Sequence, residues 1–360
     1  MKILVISNNS GGLYAFRKEL LHELCDTHEV IVATPFDTAL DELRAIGCSL
    51  IETKMERRGM NPAQDLSLMW TYQKIMREEK PDLVITYTIK PNIYGCMAAR
   101  ALKIPYAANI TGLGTAFQKQ GPVRKMIETM YRSALRDAKV VFFENQGNRD
   151  TLVGLRLVRP EQCKCLRGAG VNLEHFQKAA YPSEQSHTRF LFIGRVMKEK
   201  GVGELFWAMQ QLQKEGVPCS LDIVGFFEED YELQLDEYQK EGWLRFHGFQ
   251  KDLRPFIADS HYYVLPSWHE GMANTLLESG AMGRPLITSE LHGCMEAVDP
   301  ERSGFLFPVK DRDRLFQTMK RFCLLSYAQK CVMGEASHAY VAARFDKRKV
   351  VTATVESLMI

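Results

Sequence analysis

A chain of 360 residues is too long for one small core and is expected to form two domains of roughly 150 to 200 residues each. Its hydrophobic share of 46%, charged share of 25% and net charge of +2 are ordinary for a globular protein and give no general case for nucleic-acid binding. No apolar run approaches the roughly 18 residues needed to span a bilayer, and nine scattered cysteines, with only Cys163 and Cys165 close, fit reduced thiols better than a disulfide framework or a zinc site.

The chain opens on MKILVIS with no signal-peptide pattern, so the expectation is a cytosolic protein, soluble or peripherally attached. Residues 2 to 7 read as a buried strand, Asn8 to Leu13 (NNSGGL) as a glycine loop, Tyr14 to Cys25 as a helix and Glu29 to Thr34 as a second strand. Gly11-Gly12 would let phosphate approach the helix start, or simply make a tight turn. Cys48 to Glu52, Pro81 to Tyr87, Pro105 to Ile110 and Lys139 to Phe143 read as strands. Asp65 to Glu79, Asn92 to Leu102 and Gly121 to Ala138 read as helices, the last basic and amphipathic. Such alternation predicts a parallel sheet covered by helices on both faces. Met126, Met130 and Leu135, with Arg124, Lys125, Arg132 and Arg136, give that last helix a pattern suited either to a membrane surface or to packing on a sheet. Lys54 to Arg58 is a second basic cluster that could face an anionic membrane.

The rhythm lapses between Gly168 and His187, where the linker is placed, and then restarts. Strands are expected at Arg189 to Ile193, Ser220 to Val224, Leu244 to His247, His261 to Leu265 and Pro285 to Thr288. Helices are expected at Gly203 to Lys214, Glu229 to Gln239, Leu253 to Ser260 and Thr275 to Met282, with Asn274 as N-cap. Residues 312 to 360 are helical in pattern. The resulting domains are 1–180, 181–340 and a terminal helix 341–360 packing back on the first.

Two loops of the second half carry chemistry. In GRVMKEKG, Gly194 opens a strand-to-helix loop in which Arg195 and Lys200 could both reach one diphosphate, arginine as a planar fork and lysine as a point charge. In SWHEGMANTLLESGAMG, Glu270 precedes a helix and Glu278 lies about one turn inside it. A helix N-terminus attracts a diphosphate, and the two carboxylates would bind hydroxyls on its two sides. A nucleotide sugar has that layout.

These two stretches, with HGCMEAV and SGFLFPVKD, resemble in order and spacing the C-terminal domain of family 4 retaining glycosyltransferases. GGLYAFRKEL, PDLVITYTIKPNIYG, NITGLGTAF and GAGVNLEHF are similar to the subgroup that builds bacterial capsule, O-antigen or exopolysaccharide units on a polyprenyl diphosphate carrier. The resemblance implies the GT-B fold, two Rossmann-like parallel-sheet domains facing each other across a cleft, the first for acceptor and the second for donor. It also implies a cytoplasmic enzyme, at the inner face of the membrane, that moves a hexose or N-acetylhexosamine from a UDP-sugar to a lipid-linked glycan. A UDP-sugar epimerase or hydrolase, and a non-catalytic binding subunit, are the rival readings.

By the same resemblance Arg195 and Lys200 would stabilise the leaving diphosphate, Glu270 would hold the transferred sugar, and Glu278 the ribose. Gly194, Gly271, Met272, Ala273 and Thr275 would line the donor, the backbone N–H groups of residues 271 to 273 facing it, and Gly12 would face the diphosphate across the cleft. Glu296 corresponds to a position near the donor, or simply to a helix-end glutamate. Many relatives have a histidine where this chain has Asn109-Ile110-Thr111-Gly112, so no base is assigned. Asn109, Thr111, Arg17 and Lys90 fall on the acceptor side, and Glu144 is an alternative carboxylate. No metal motif or cofactor is expected.

Overall fold

In the computed structural model, residues 1–55, 62–114, 117 and 121–359 are described. The basic stretch from Lys54 therefore lies largely outside them, as does the end of NITGLGTAF. The described chain divides into two compact units, Met1–Ala169 with Arg348–Ile360, and Gly170–Lys347. The division falls at Ala169/Gly170 and Lys347/Arg348, where the sequence pattern had suggested 180 and 340.

The first unit runs β1 (Lys2–Ile6), α1 (Ser10–Cys25), β2 (Glu29–Thr34), α2 (Leu40–Ile46), β3 (Ser49–Glu52), α3 (Pro62–Glu79), β4 (Leu83–Tyr87), α4 (Cys96–Ala101), β5 (Tyr106–Ile110), α5 (Pro122–Leu135), β6 (Val140–Phe143), α6 (Gln146–Gly154) and β7 (Cys163–Cys165). Among the described residues the strands form one parallel sheet in the order β3-β2-β1-β4-β5-β6-β7. The central strands are continuous apolar runs because helices cover both faces: Leu4 and Ile6 pack in one layer, Ile3 and Val5 in the other.

Several boundaries differ from the sequence reading. Helix α1 begins at Ser10, so Gly11 and Gly12 lie in its first turn and not in a loop. The cause is a cap: the Asn9 side chain accepts the Gly12 N–H, and the Asp37 carboxylate accepts from the Ser10 N–H and hydroxyl. The segment expected to be one helix from Asn92 opens with a π-turn, Pro91–Gly95, before α4. Helices α2 and α6 and strand β7 were not foreseen.

The second unit runs β8 (Thr188–Ile193), α7 (Val202–Lys214), β9 (Cys219–Val224), α8 (Glu232–Lys240), β10 (Leu244–Phe246), α9 (Arg254–Asp259), β11 (Tyr262–Leu265), α10 (Asn274–Ala281), β12 (Leu286–Ser289), β13 (Gly304–Phe307), α11 (Arg312–Leu324) and α12 (Tyr327–Phe345). Its parallel strands are ordered β10-β9-β8-β11-β12-β13. The helical tail breaks into three. Helix α12 starts at a Ser326–Gln329 capping box, and α13 (Lys347–Met359) places Val350 and Leu358 in the core of the first unit. No described helix is long and apolar enough to cross a membrane.

Candidate functional site

In an open parallel sheet the crevice for a ligand lies beyond the carboxyl ends of the strands, where the strand order reverses. In the second unit that point is between β8 and β11. The loop after β8 carries Gly194, Arg195 and Lys200, and the loop after β11 carries Ser267, Glu270 and Gly271. Two glycines let these loops approach other backbone. A Cβ on Gly201, whose φ is 71°, would sit 2.0 Å from the Pro266 carbonyl oxygen, and one on Gly225 would sit 1.9 Å from that of Gly194. Helix α10 is held under the site by Leu276 and Leu277, both fully buried, each side chain contributing about 2 to 3 kcal/mol of burial.

Lys200 Nζ donates to Glu270 Oε1, which also accepts the Ser267 hydroxyl at 2.7 Å. Burial alone would raise the Glu270 pKa, but the Lys200 charge and these hydrogen bonds outweigh it and hold the carboxyl below its ordinary value. Arg195 is more open, with Nη1 3.6 Å from Glu228 Oε2. The Tyr263 hydroxyl lies 2.6 Å from Thr275 Oγ1 and 3.1 Å from the Ile193 carbonyl, joining the end of β8 to the start of α10. His269 Nε2 lies 3.0 Å from Glu199 Oε2, so this imidazole has a carboxylate partner within the loop pair.

Among the described residues helix α10 has no side-chain N-cap; Ala273 occupies that position and Asn274, expected to cap, is the first helical residue. Its buried Oδ1 has no hydrogen-bond partner among the described residues. Among the described residues no side chain covers the N-terminal N–H groups, of which that of Leu276 is taken by the Ala273 carbonyl at 3.0 Å. One expected donor contact is corrected: the Ala273 N–H is taken by the Gly293 carbonyl at 2.8 Å, because Gly293, at φ 94°, folds its loop onto residues 270 and 271. Met272 and Ala273 are buried, and Gly271 is half-buried.

Glu278 faces the same region with a shielded Oε2 that has no hydrogen-bond partner among the described residues. Burial pushes its pKa up to about 7, against the pull of the Lys347 charge. Glu296, in contrast, is fully engaged: its carboxylate lies 2.7 Å from His292 Nδ1 and accepts the Gly293 N–H at 2.7 Å. It supports the loop that holds residues 270 to 273.

The predicted acceptor-side residues belong to the first unit, where the strand order reverses between β1 and β4. Arg17 is buried and ion-paired with Glu144, its guanidinium 5.1 Å from the centre of the Tyr87 ring. It is neither an exposed helix cation nor an open ligand for an acceptor, since α1 turns this face onto the ends of β4 and β6. Asn109 is also buried, donating to the Thr86 carbonyl at 3.2 Å while its own carbonyl accepts from Asn92 at 2.7 Å. It holds the scaffold. Lys90 and Thr111 are half-buried. The Gly12 N–H is used by the Asn9 cap and is not offered to a phosphate.

Comparison with known proteins bears on both units. The family described as glycosyl transferases group 1 matches residues 187–324, and that described as glycosyl transferase 4-like matches residues 2–145. The chain is a GT4-like, group 1 glycosyltransferase. This glycosyltransferase is 26% identical over 328 residues to the N,N'-diacetylbacillosaminyl-diphospho-undecaprenol alpha-1,3-N-acetylgalactosaminyltransferase of Campylobacter jejuni, covering 86% of each chain. It is 25% identical to the UDP-Gal:alpha-D-GlcNAc-diphosphoundecaprenol alpha-1,3-galactosyltransferase of Escherichia coli, covering 73% of this chain and 72% of that one. Among solved structures, Anabaena HepE in complex with UDP and glucose superposes with a TM-score of 0.83 at 18% identity, over 100% of this chain and 99% of that one. The glycosyltransferase thus has the GT-B fold.

Sequence reading of this glycosyltransferase missed Ser267, Tyr263, Glu228 and Lys347 as neighbours of the site. Ser267 stands three residues from Glu270 within the same stretch, a local signal. The others gave none, because each meets its partner only through strand order or the return of the C-terminal helices.

Proposed function

We propose that the enzyme transfers a hexose or N-acetylhexosamine from a UDP-sugar, with retention and without a metal, to a polyprenyl-diphosphate-linked glycan in surface polysaccharide synthesis. The observation that carries this reading is the convergence at one switch point of Arg195, the Lys200–Glu270 pair, the start of α10 and the Glu278 Oε2, the last two without a side-chain cap or a hydrogen-bond partner among the described residues. The two curated relatives named above, both acting by name on undecaprenyl diphosphate-linked glycans, support the acceptor class.

In this reading the unit Gly170–Lys347 acts as the donor domain and the unit Met1–Ala169 with Arg348–Ile360 as the acceptor domain. Arg195, Lys200 and the α10 N-terminus stabilise the charge that develops as the bond from the anomeric carbon to the diphosphate oxygen breaks. Glu270 orients the sugar hydroxyls and Glu278 the ribose diol. The acceptor hydroxyl attacks on the face the diphosphate leaves, and its proton passes to the departing phosphate oxygen, so no side-chain base is required. Peripheral attachment at the cytoplasmic face of the membrane is supported by α5, whose Val123 and Met126 are 46% and 44% exposed beside the exposed Lys125, while Arg124 is paired with Glu128.

Thermal stability against a panel of UDP-, GDP-, ADP- and dTDP-sugars tests the donor assignment. A ligand at 100 times its Kd adds about 2.7 kcal/mol to the folded state. One UDP-sugar is expected to raise the melting temperature of the parent and not of Glu278→Ala or Arg195→Ala. An equal shift in both variants would refute the site. Activity lost to a chelator and restored by a divalent ion would refute metal independence.

A further inference from the structure

The first unit contains a cavity of about 900 Å³ at the edge of the sheet opposite the carboxyl ends of its strands. It lies where α4, α5 and α6 end and the chain turns into β5, β6 and β7. Arg100, Arg132, Arg136, Arg156 and Arg159 line it, with Asp137 the one lining carboxylate among the described residues. Arg100 Nε donates to Asp137 at 2.6 Å, and Arg159 stands 3.5 Å from Glu161. Arg132 reaches the Leu155 carbonyl at 3.4 Å, while the Arg136 and Arg156 side chains are exposed and make no ion pair among the described residues.

Three helix C-termini converge here, each equivalent to roughly half a negative charge, and arginines at such ends are favourable in themselves. Yet five guanidiniums against two carboxylates and three helix ends leave an excess of roughly one to two positive charges in one concave surface. Guanidinium forks match phosphate oxygens in pairs, and their weak hydration suits a partly enclosed site. We propose that this cavity is a binding site for a phosphate-bearing anion of about two charges, a diphosphate or a phosphomonoester headgroup. It is separate from the donor site and does not rest on the transfer reaction proposed above.

Arg156 supplies a variant that cannot be dismissed as misfolded. Its φ is 54°, the left-handed conformation in which a helix ends and which glycine adopts without strain, so Arg156→Gly removes the charge while easing the backbone. Calorimetric titration with inorganic diphosphate is run on the parent and on the Arg136→Ala, Arg156→Gly double variant, with and without saturating UDP. In parallel, both are floated with phosphatidylcholine vesicles, pure or doped with phosphatidic acid.

Binding of diphosphate that UDP does not displace and that the double variant weakens about tenfold or more assigns the site to a soluble anion. Selective capture by phosphatidic acid vesicles, lost in the double variant but kept in Met126→Asp, assigns it to a lipid headgroup. The proposal is overturned if neither probe binds, if the double variant binds as the parent does, if UDP displaces the diphosphate, or if vesicle capture depends on Met126 alone. That last outcome would leave the membrane face of α5 standing and this cavity without a ligand.

Discussion

Lys200 and Glu270 are ion partners although 70 positions separate them, because β8 and β11, whose loops carry them, are parallel neighbours. Their side chains are only 18% and 12% exposed. Lys200→Met, which strands a shielded carboxylate, should cost about 1 to 3 kcal/mol in urea unfolding, and Glu270→Gln less, since the lysine can turn to water. The Glu270 pKa is depressed, so its contribution is present above the unfolded value and lost as pH falls through the folded one. The parent's advantage over Glu270→Gln should therefore shrink below about pH 4. A Lys200→Met protein as stable as the parent at pH 7 would show the pair to be incidental.

Glu278 behaves in the opposite sense. Its folded pKa, near 7, exceeds the unfolded value, so the native state holds the extra proton and stability declines as pH rises from about 4.5 to 7. Glu278→Gln should abolish this decline and leave the variant about 1 to 3 kcal/mol more stable than the parent at pH 8. Unfolding curves at pH 5 and pH 8 make the comparison; a parallel pH dependence in parent and variant would contradict it.

The Arg17–Glu144 pair lies 9% exposed on both sides. Removing one member leaves a buried charge, and Arg17→Met should cost about 3 to 5 kcal/mol. Adding Glu144→Gln should return a large part of that loss. A double-mutant cycle by chemical denaturation gives the coupling, and a value near zero would mean that the arginine acts by packing on Tyr87 alone.

Gly201→Ala tests the crossing of the two site loops. The left-handed φ and the 2.0 Å approach to the Pro266 carbonyl leave no place for a methyl group. A loss of about 2 kcal/mol or more is expected, with transferase activity reduced because Lys200 precedes the displaced residue. Unchanged melting and turnover would refute the close approach.

The alternation of apolar strands and amphipathic helices was legible in the sequence because burial on both faces of a parallel sheet demands it, and the two charged loops were legible because their motifs are local. Short elements such as α2 and β7 were not, since seven or three residues carry too little periodicity to stand out. By itself the sequence determined the two sheets, the loops with Arg195, Lys200, Glu270 and Glu278, and the family. Only the tertiary structure decided which charges meet: Lys200 with Glu270, Arg17 with Glu144 across 127 positions, Lys347 near Glu278, and five arginines from three helix ends around one cavity. The physical reason is that a charge's partner and its proton affinity depend on distance and solvent exposure, and both are set by strand order and helix return and not by neighbours in the chain.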